Sequence, residues 1–260
     1  MKTIIQVWTH KCINMPQNTR ENFWGLGDIL RGTLKVYQLC KKYNYRYIVD
    51  IQLHNLSNYL IYTPHEYSNI IENNKENIEF VYDDKLEDYI TANNSELLYF
   101  FTNAHCEENL DVDTKNFMKN ILTPNIILNE YISKNSVNIP NNYSILHYRL
   151  GDEELVRKNS ITNKKYINHL NNFIEDNDIL FSDSRNFKIM AKSQNNKNLI
   201  ILDTEPKHIG YESSESLTDT LFEFFIITKS KKIKTFSEYG WISGFVFWIH
   251  KIYDIPLTRI

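Results

Sequence analysis

The chain has 260 residues, 42% of them hydrophobic, and a formal net charge of −3 at pH 7. This length provides for a large buried core, in one large or two small domains. The weak negative charge argues against a general nucleic-acid-binding protein, which would carry a basic face and a high isoelectric point. The richest apolar run, residues 241–252, is interrupted by Ser243, Gly244, His250 and Lys251, so no transmembrane segment is expected.

The three cysteines, Cys12, Cys40 and Cys106, lie far apart and show no spacing typical of a metal site. An odd number without a paired motif favours reduced thiols in a cytosolic compartment over a disulfide framework. The first apolar segment is too short for a signal peptide. We therefore expect a cytoplasmic protein, located in the host cytoplasm if the source is a virus. The oligomeric state is not predicted.

The first half of the chain contains apolar runs that predict both strands and helices. Asp28 is the expected N-cap of the first helix, and Pro124 stands at the start of the last. An asparagine-rich region between the last two strands has no assigned element. The predicted strands cover residues 4–8, 45–51, 78–82 and 97–101, and the predicted helices cover 28–43, 111–121 and 124–134.

A domain boundary is predicted where the sequence becomes polar and loses its periodicity, over residues 133–142. It separates an N-terminal domain, residues 1–138, from a C-terminal domain, residues 139–260.

The second domain alternates strands with helices, a pattern that predicts a parallel sheet covered by helices on both faces. The fold class is therefore α/β, with two Rossmann-like domains and a ligand-binding cleft between them. The predicted strands cover residues 143–148, 179–182, 199–202 and 232–235, and the predicted helices cover 164–176, 184–192, 216–228 and 241–252.

Polar side chains follow all four strands of the second domain, and the carboxyl ends of parallel strands meet at one edge of a sheet, where ligands bind. Arg149 is the leading candidate, because a guanidinium can hold two phosphate oxygens at once. The alternative for each Ser, Asp or Thr is a helix N-cap, and for Arg149 a surface ion pair. Four converging loops favour a nucleotide ligand; their residues are His147, Arg149, Gly151 and Asp152, then Ser182, Asp183 and Ser184, then Asp203, Thr204 and Glu205, and finally Ser237, Glu238 and Tyr239.

The first domain offers one further candidate, a Gly25-Leu26-Gly27-Asp28 segment that precedes a predicted helix. Backbone amides at Gly25 and Gly27 would approach a diphosphate closely, although glycine is also the ordinary turn residue. The segment lacks the third glycine of a dinucleotide fingerprint and the lysine of a P-loop. No carboxylate pair typical of a metal site occurs, so neither a metal nor a resident cofactor is expected.

Residues 147–152, His-Tyr-Arg-Leu-Gly-Asp, resemble the His-x-Arg-Arg-x-Asp or His-x-Arg-x-Gly-Asp motif of GDP-fucose-dependent fucosyltransferases. That group includes α-1,2-, nodulation-type α-1,6- and protein O-fucosyltransferases. Leu150 stands where many members have a second arginine. Further segments resemble the family in the same order along the chain; they are residues 25–30, 181–184, 219–230 and 235–241.

The resemblance implies a GT-B-like fold and a metal-independent, inverting transfer of fucose from GDP-fucose to a glycan or other hydroxyl acceptor. Arg149 would stabilise the departing diphosphate, and His147 would hold a phosphate or the ribose. The catalytic base is undecided among Asp28, Asp152 and Glu153. The other implied donor-binding residues are Gly25, Gly27 and Asp152, with Ser182, Asp183 and Ser184 along the nucleoside and Ser237, Glu238 and Tyr239 near the diphosphate.

Two alternatives remain open from the sequence. One is transfer from another nucleotide sugar on the same scaffold, and the other is a non-catalytic relative that binds a nucleotide or a glycan. The sequence does not predict the acceptor or the linkage.

Overall fold

The computed structural model describes residues 1–15, 24–151, 164–194, 198–210 and 217–260. The chain divides into two compact units, the first comprising Met1–Ile127 with Ile209–Ser214 and the second Leu128–His208 with Glu215–Ile260. The division falls after Ile127, upstream of the boundary predicted at residue 138. The assignment of an acceptor side and a donor side to the two halves stays a prediction.

The first unit is built on a parallel sheet with the strand order β2-β1-β4-β3 in its described residues. Strand β1 is buried along its whole length, as expected for a parallel strand covered on both faces. The strands are β1 (Thr3–Val7), β2 (Arg46–Asp50), β3 (Glu79–Phe80) and β4 (Leu97–Phe101), and the helices are α1 (Leu26–Tyr43), α2 (Ser68–Asn73), α3 (Asp83–Ala92), α4 (Val112–Ile121) and α5 (Ile126–Asn135), which continues into the second unit.

Helix α1 packs closely against the end of β4. A Cβ at Gly32 would lie 1.9 Å from the backbone oxygen of Thr102, so only glycine allows this approach. The helix begins at Leu26 with Gly25 as its N-cap, so the prediction of Asp28 as N-cap was wrong. Asp28 lies in the first turn, where its negative charge interacts favourably with the positive end of the helix dipole. Its carboxylate also forms an ion pair with Arg31 at 3.1 Å.

The second unit contains a parallel sheet whose described strands follow the order β7-β6-β5-β8-β9. The chain runs outward from β5 to β7 and then returns to place β8 on the other side of β5. The strands are β5 (Ser144–Arg149), β6 (Asp178–Ser182), β7 (Leu199–Ile201), β8 (Ile233–Ser237) and β9 (Leu257–Arg259), and the helices are α6 (Lys164–Asn171), α7 (Arg185–Ser193), α8 (Thr218–Ile227) and α9 (Gly244–Tyr253).

Alternation along β5 divides its side chains between two faces of the sheet. Leu146 and Tyr148 join a buried cluster with residues of α6 and α7, including Ile167 and Phe187. His147 points to the opposite face of the sheet, because successive side chains of a strand alternate between the two faces. The α/β class with parallel sheets is therefore confirmed. None of the described helices has the length and apolar character needed to cross a membrane.

Candidate functional site at the carboxyl edge of the second sheet

The carboxyl ends of β5, β6 and β8 lie side by side. Arg149 is in register with Ser237 of β8, and Tyr148 is in register with Ser182 of β6. The direction of strand order reverses between β5 and β8, and ligands of open α/β sheets bind at such a switch point. Arg149, the last residue of β5, stands at this point with a side chain that is 19% exposed.

Asp183 holds the loop that follows β5. Its carboxylate accepts hydrogen bonds from the Leu150 amide at 2.8 Å, the Gly151 amide at 3.0 Å and Arg149 Nη1 at 3.0 Å. Burial raises the pKa of Asp183, and the Arg149 charge and the two amides oppose that rise. The loop needs glycine at residue 151, where φ is +138°. Asp183 thus fixes the position of the Arg149 guanidinium, and its predicted contact with a nucleoside stays a prediction.

His147 is occupied within the sheet. Its Nδ1 lies 3.0 Å from Oγ1 of Thr235 on β8, and its ring stacks on Phe245 with a centroid distance of 6.3 Å. Burial lowers the pKa of His147 to about 3, and the neighbouring Arg149 charge contributes to the decrease. The imidazole is therefore neutral at pH 7 and buried. A contact of His147 with a phosphate or the ribose stays a prediction.

Ser182 and Ser184 shape the start of helix α7. The Ser184 hydroxyl accepts a hydrogen bond from the Phe187 amide at 3.2 Å and so caps the helix. The Ser182 hydroxyl accepts one from the Ser184 amide at 3.1 Å. Both side chains are buried. Ser184 thus acts as a helix N-cap, which was the alternative interpretation of this residue from the sequence. A contact of either hydroxyl with a nucleoside stays a prediction.

The loop after β8 adjoins the loop after β5. The Glu238 amide donates to the backbone oxygen of Arg149 at 3.0 Å, and the Ser237 hydroxyl accepts from the Tyr239 amide at 3.2 Å. The Glu238 carboxylate pairs with Lys165 at 2.9 Å. A Cβ at Gly151 would lie 3.7 Å from the Tyr239 hydroxyl. The structure thus brings Ser237, Glu238 and Tyr239 to the Arg149 loop, as the sequence predicted.

A cavity of about 280 Å³ opens at the ends of β6 and β7. A second cavity of about 320 Å³ shares several of its lining residues and extends to Asp203 and Asp219. The sequence predicted a ligand contact for the strand-end residues Asp203, Thr204 and Glu205. It did not predict that helix α7 also lines the cavity. The first cavity is lined by charged, polar and apolar side chains, among them Arg185, Lys188, Ile189, Thr204, Glu205 and Lys207.

A buried network supports the cavity from behind. Lys188 Nζ donates to the backbone oxygen and the hydroxyl of Thr204 at 2.6 and 2.8 Å and lies 3.7 Å from Glu223 Oε1. The Thr204 hydroxyl donates to Glu223. Burial raises the pKa of Glu223 to about 7, and Lys188 and Thr204 oppose the rise. The Lys207 amide donates to the Thr220 hydroxyl at 2.7 Å. Residues 204–207 are thus held between α7 and α8.

The predicted residues of the first unit lie at the start of α1. The Gly25 oxygen accepts from the Asp28 amide at 3.0 Å and from the Ile29 amide at 3.2 Å. Arg31 Nε donates to the Asn103 oxygen at 2.8 Å, which joins α1 to the loop after β4. A contact of Gly25 or Gly27 with a diphosphate stays a prediction. The predicted candidates Asp152 and Glu153 lie outside the described residues.

A second polar cluster lies at the end of β2 in the first unit. The buried Asp50 carboxylate lies 2.9 Å from His65 Nε2 and accepts from the Tyr62 hydroxyl at 3.1 Å and the Gln52 amide at 2.9 Å. His10 and His54 stack with a centroid distance of 4.0 Å. Within the described residues, no three His, Cys, Asp or Glu side chains group as a metal site would require.

Solved structures of fucosyltransferases are similar to this chain in fold. A crystal structure of the α-1,6-fucosyltransferase NodZ soaked with GDP-fucose matches with a TM-score of 0.56 at 11% identity, over 96% of this chain and 92% of that one. NodZ co-crystallized with GDP matches with a TM-score of 0.59 at 8% identity, over 100% and 94%. An arginine-to-lysine mutant of Arabidopsis thaliana FUT1 in complex with GDP matches with a TM-score of 0.54 at 9% identity, over 99% and 70%.

These likenesses confirm a GT-B, fucosyltransferase-like fold for the chain. At such low identity they establish the fold alone. No protein-family model and no curated protein sequence matches the chain.

Proposed function

We propose that this chain is an inverting glycosyltransferase that moves fucose from GDP-fucose to a hydroxyl group of a glycan-type acceptor. The observation that carries the proposal is the position of Arg149, fixed by Asp183 at the switch point of the second sheet. The fold likeness to fucosyltransferases, which extends over nearly the whole chain, supports the same assignment.

The donor would lie along the carboxyl edge of the second sheet. The mixed polar and apolar cavity beside residues 204–207 offers room for the nucleoside. The Arg149 guanidinium, three residues beyond the buried Leu146 and at the open end of its strand, offers the positive charge for the diphosphate. The base and the diphosphate would thus bind at neighbouring strand ends.

Transfer breaks the bond between the fucose anomeric carbon and the diphosphate oxygen, and negative charge grows on the diphosphate as it leaves. A guanidinium fixed in advance stabilises that charge without reorganising during the reaction. The buried Asp183 carboxylate supplies this fixation through three hydrogen bonds. The acceptor hydroxyl attacks the opposite face of the sugar, which inverts the configuration, and its proton passes to a base. Asp28, Asp152 and Glu153 remain the candidates for that base.

A metal is not required in this scheme, because Arg149 provides the positive charge that a divalent cation would otherwise supply. We expect donor turnover to change little on addition of Mg²⁺ or EDTA. Loss of turnover on chelation would contradict the metal-independent mechanism.

A nucleotide panel tests the donor assignment. Thermal unfolding of the protein is measured with GDP, UDP, ADP and CMP at equal concentrations. GDP at about 100 times its dissociation constant should stabilise the fold by about 2.7 kcal/mol, whereas the other nucleotides should do less. The absence of a shift with GDP, or a shift with UDP alone, would contradict the assignment.

Leu150 favours a second candidate, a non-catalytic relative that binds a nucleotide or a glycan. Its side chain packs against the core cluster on the α6–α7 face, so it does not replace the second arginine found in many fucosyltransferases. The two candidates separate on the fate of GDP-fucose incubated without an acceptor. Slow release of GDP, absent from a sample of Arg149→Lys, supports an enzyme, and binding with no release supports the non-catalytic relative.

A further inference from the structure

An exposed indole, stacked on a half-buried tyrosine ring, lies beside the Arg149 loop. Tyr239 and Trp241, here called the aromatic pair, stack with a centroid distance of 5.0 Å and an interplanar angle of 13°. Trp241 is 66% exposed and is the most exposed aromatic side chain among the described residues. An indole exposed at the edge of a site offers a flat apolar face to a ligand.

The loop that carries the aromatic pair is held in place. Arg259 donates from Nη1 to the Gly240 oxygen at 3.0 Å and from Nη2 to the Tyr239 oxygen at 3.3 Å. The Glu238 amide donates to the Arg149 oxygen at 3.0 Å. These bonds fix the backbone of the loop that carries the aromatic pair beside the backbone of Arg149.

The order of features along the sheet edge indicates what the aromatic pair binds. The cavity lies at β7 and β6, Arg149 ends β5, and the aromatic pair follows β8. Neighbouring strands are about 4.8 Å apart, so three intervals separate β7 from β8 by about 14 Å. A nucleotide sugar is a linear molecule of base, ribose, diphosphate and sugar. With the nucleoside in the cavity and the diphosphate at Arg149, the sugar reaches the aromatic pair.

We infer that Tyr239 and Trp241 form the subsite for the donor sugar, with the exposed indole face of Trp241 packed against the C–H face of the hexose. This inference rests on the proposed function. A 6-deoxyhexose carries a methyl group where other hexoses carry a hydroxymethyl group, so it presents more apolar surface to an indole. Burial of that surface, together with the fixed position of the ring, favours the deoxy sugar.

Calorimetric titration with GDP and GDP-fucose, on wild type and on Trp241→Ala, tests the inference. Wild type should bind GDP-fucose about 3- to 10-fold more tightly than GDP, the range expected of one aromatic contact. Trp241→Ala should lose this preference and bind GDP as wild type does, because its side chain lies beyond the diphosphate. Trp241→Phe, which keeps a flat ring, should retain part of the preference. Tyr82→Ala, at an exposed aromatic of the first unit, should retain all of it.

Each other outcome overturns the inference. Equal affinity of wild type for GDP and GDP-fucose would show that the sugar makes no favourable contact. An unchanged preference in Trp241→Ala would show that Trp241 does not contact the sugar. If Trp241→Ala also loses affinity for GDP, the indole ring supports the structure of the loop and does not contact the sugar. If wild type binds neither compound, the proposed function itself is wrong, which is a different result from loss of the preference alone.

Discussion

The carboxyl edges of the two sheets have the same architecture but different uses of polar groups. At the edge of the first sheet, Asp50 is completely buried; it accepts hydrogen bonds from Tyr62 and Gln52 and lies 2.9 Å from His65 Nε2. At the edge of the second sheet, Asp183 is also buried, yet it pairs with Arg149, whose side chain reaches the solvent. A buried carboxylate needs partners in both places, and only in the second does the pairing fix a charge where a ligand can meet it.

The packing of helices against the sheets also differs between the two edges. At the switch point of the first sheet, α1 approaches the end of β4 so closely that Gly32 is in contact with the Thr102 backbone. At the end of the second sheet, the helices leave cavities beside residues 204–207. At the second edge, packing leaves open space and Asp183 holds a positive charge beside it.

The largest expected effect on stability is at the closely packed edge. Gly32→Ala places a methyl group 1.9 Å from a backbone oxygen that cannot rotate away. We expect a loss of about 3 kcal/mol or more in the free energy of unfolding, measured by urea denaturation. Gly240→Ala is the matched control, because its added Cβ would meet no atom within 4 Å. Equal stability of the two variants would contradict the close approach of α1 to β4.

Two matched carboxylate variants separate structure from function. Asp50→Asn and Asp183→Asn each replace one oxygen of a buried, hydrogen-bonded carboxylate with an amide NH₂ group, and each should cost about 1–3 kcal/mol of stability. Only Asp183→Asn should also weaken GDP binding, because it releases the Arg149 loop. Calorimetric titration at a temperature where both variants are folded measures this. Equal loss of GDP affinity in both variants would remove the distinction between the two edges.

The smallest expected effects are opposite pH dependences within the second unit. The pKa of His147 is lowered to about 3, so its contribution to stability is complete above about pH 6.5 and is lost as the pH falls toward 3. The pKa of Glu223 is raised to about 7, so its folded state binds the extra proton, and stability is gained as the pH falls from about 7 toward 4.5. Each can change the stability by up to about 1.4 kcal/mol per pH unit.

Urea unfolding at pH 7.5, 6.5 and 5.5 measures these dependences. Relative to wild type, His147→Gln should lose less stability on acidification, and Glu223→Gln should lose more. The same slope in both variants would show that neither group titrates as its burial requires.

Much of the second sheet could be predicted, because each strand is a short apolar run that ends in polar residues. The ends of β5, β6, β7 and β8 were predicted at one edge, and the parallel pairing confirms this. Strand β9 was missed, since Leu257–Arg259 has too few apolar residues to be distinguished from a loop. Helix α3 was missed because its polar, charged sequence buries only Leu86 and Ile90.

The roles of single side chains were harder to predict, because they depend on partners far along the chain. His147 contacts Thr235, 88 residues away, and the burial that lowers its pKa comes from packing between distant strands, which the sequence does not show. Lys188 and Glu223 lie on two different helices and support the cavity, but neither belongs to a sequence motif that would have indicated this role. Asp183 was predicted at the correct edge of the sheet. Its hydrogen bond with Arg149 depends on the geometry of the loop, which the sequence does not show.

The turnover of Arg149→Lys decides whether Arg149 stabilises the departing diphosphate, as we propose. Lysine keeps the charge but provides a single point donor, so the planar two-oxygen contact is lost. Turnover of GDP-fucose should fall by about 10²–10³-fold, while the melting temperature stays near that of wild type. If Arg149 forms only an ion pair with Asp183, lysine will substitute for it with less than about 1 kcal/mol of stability change and near-normal turnover. An Arg149→Lys variant with wild-type turnover would contradict a role of Arg149 in stabilising the diphosphate.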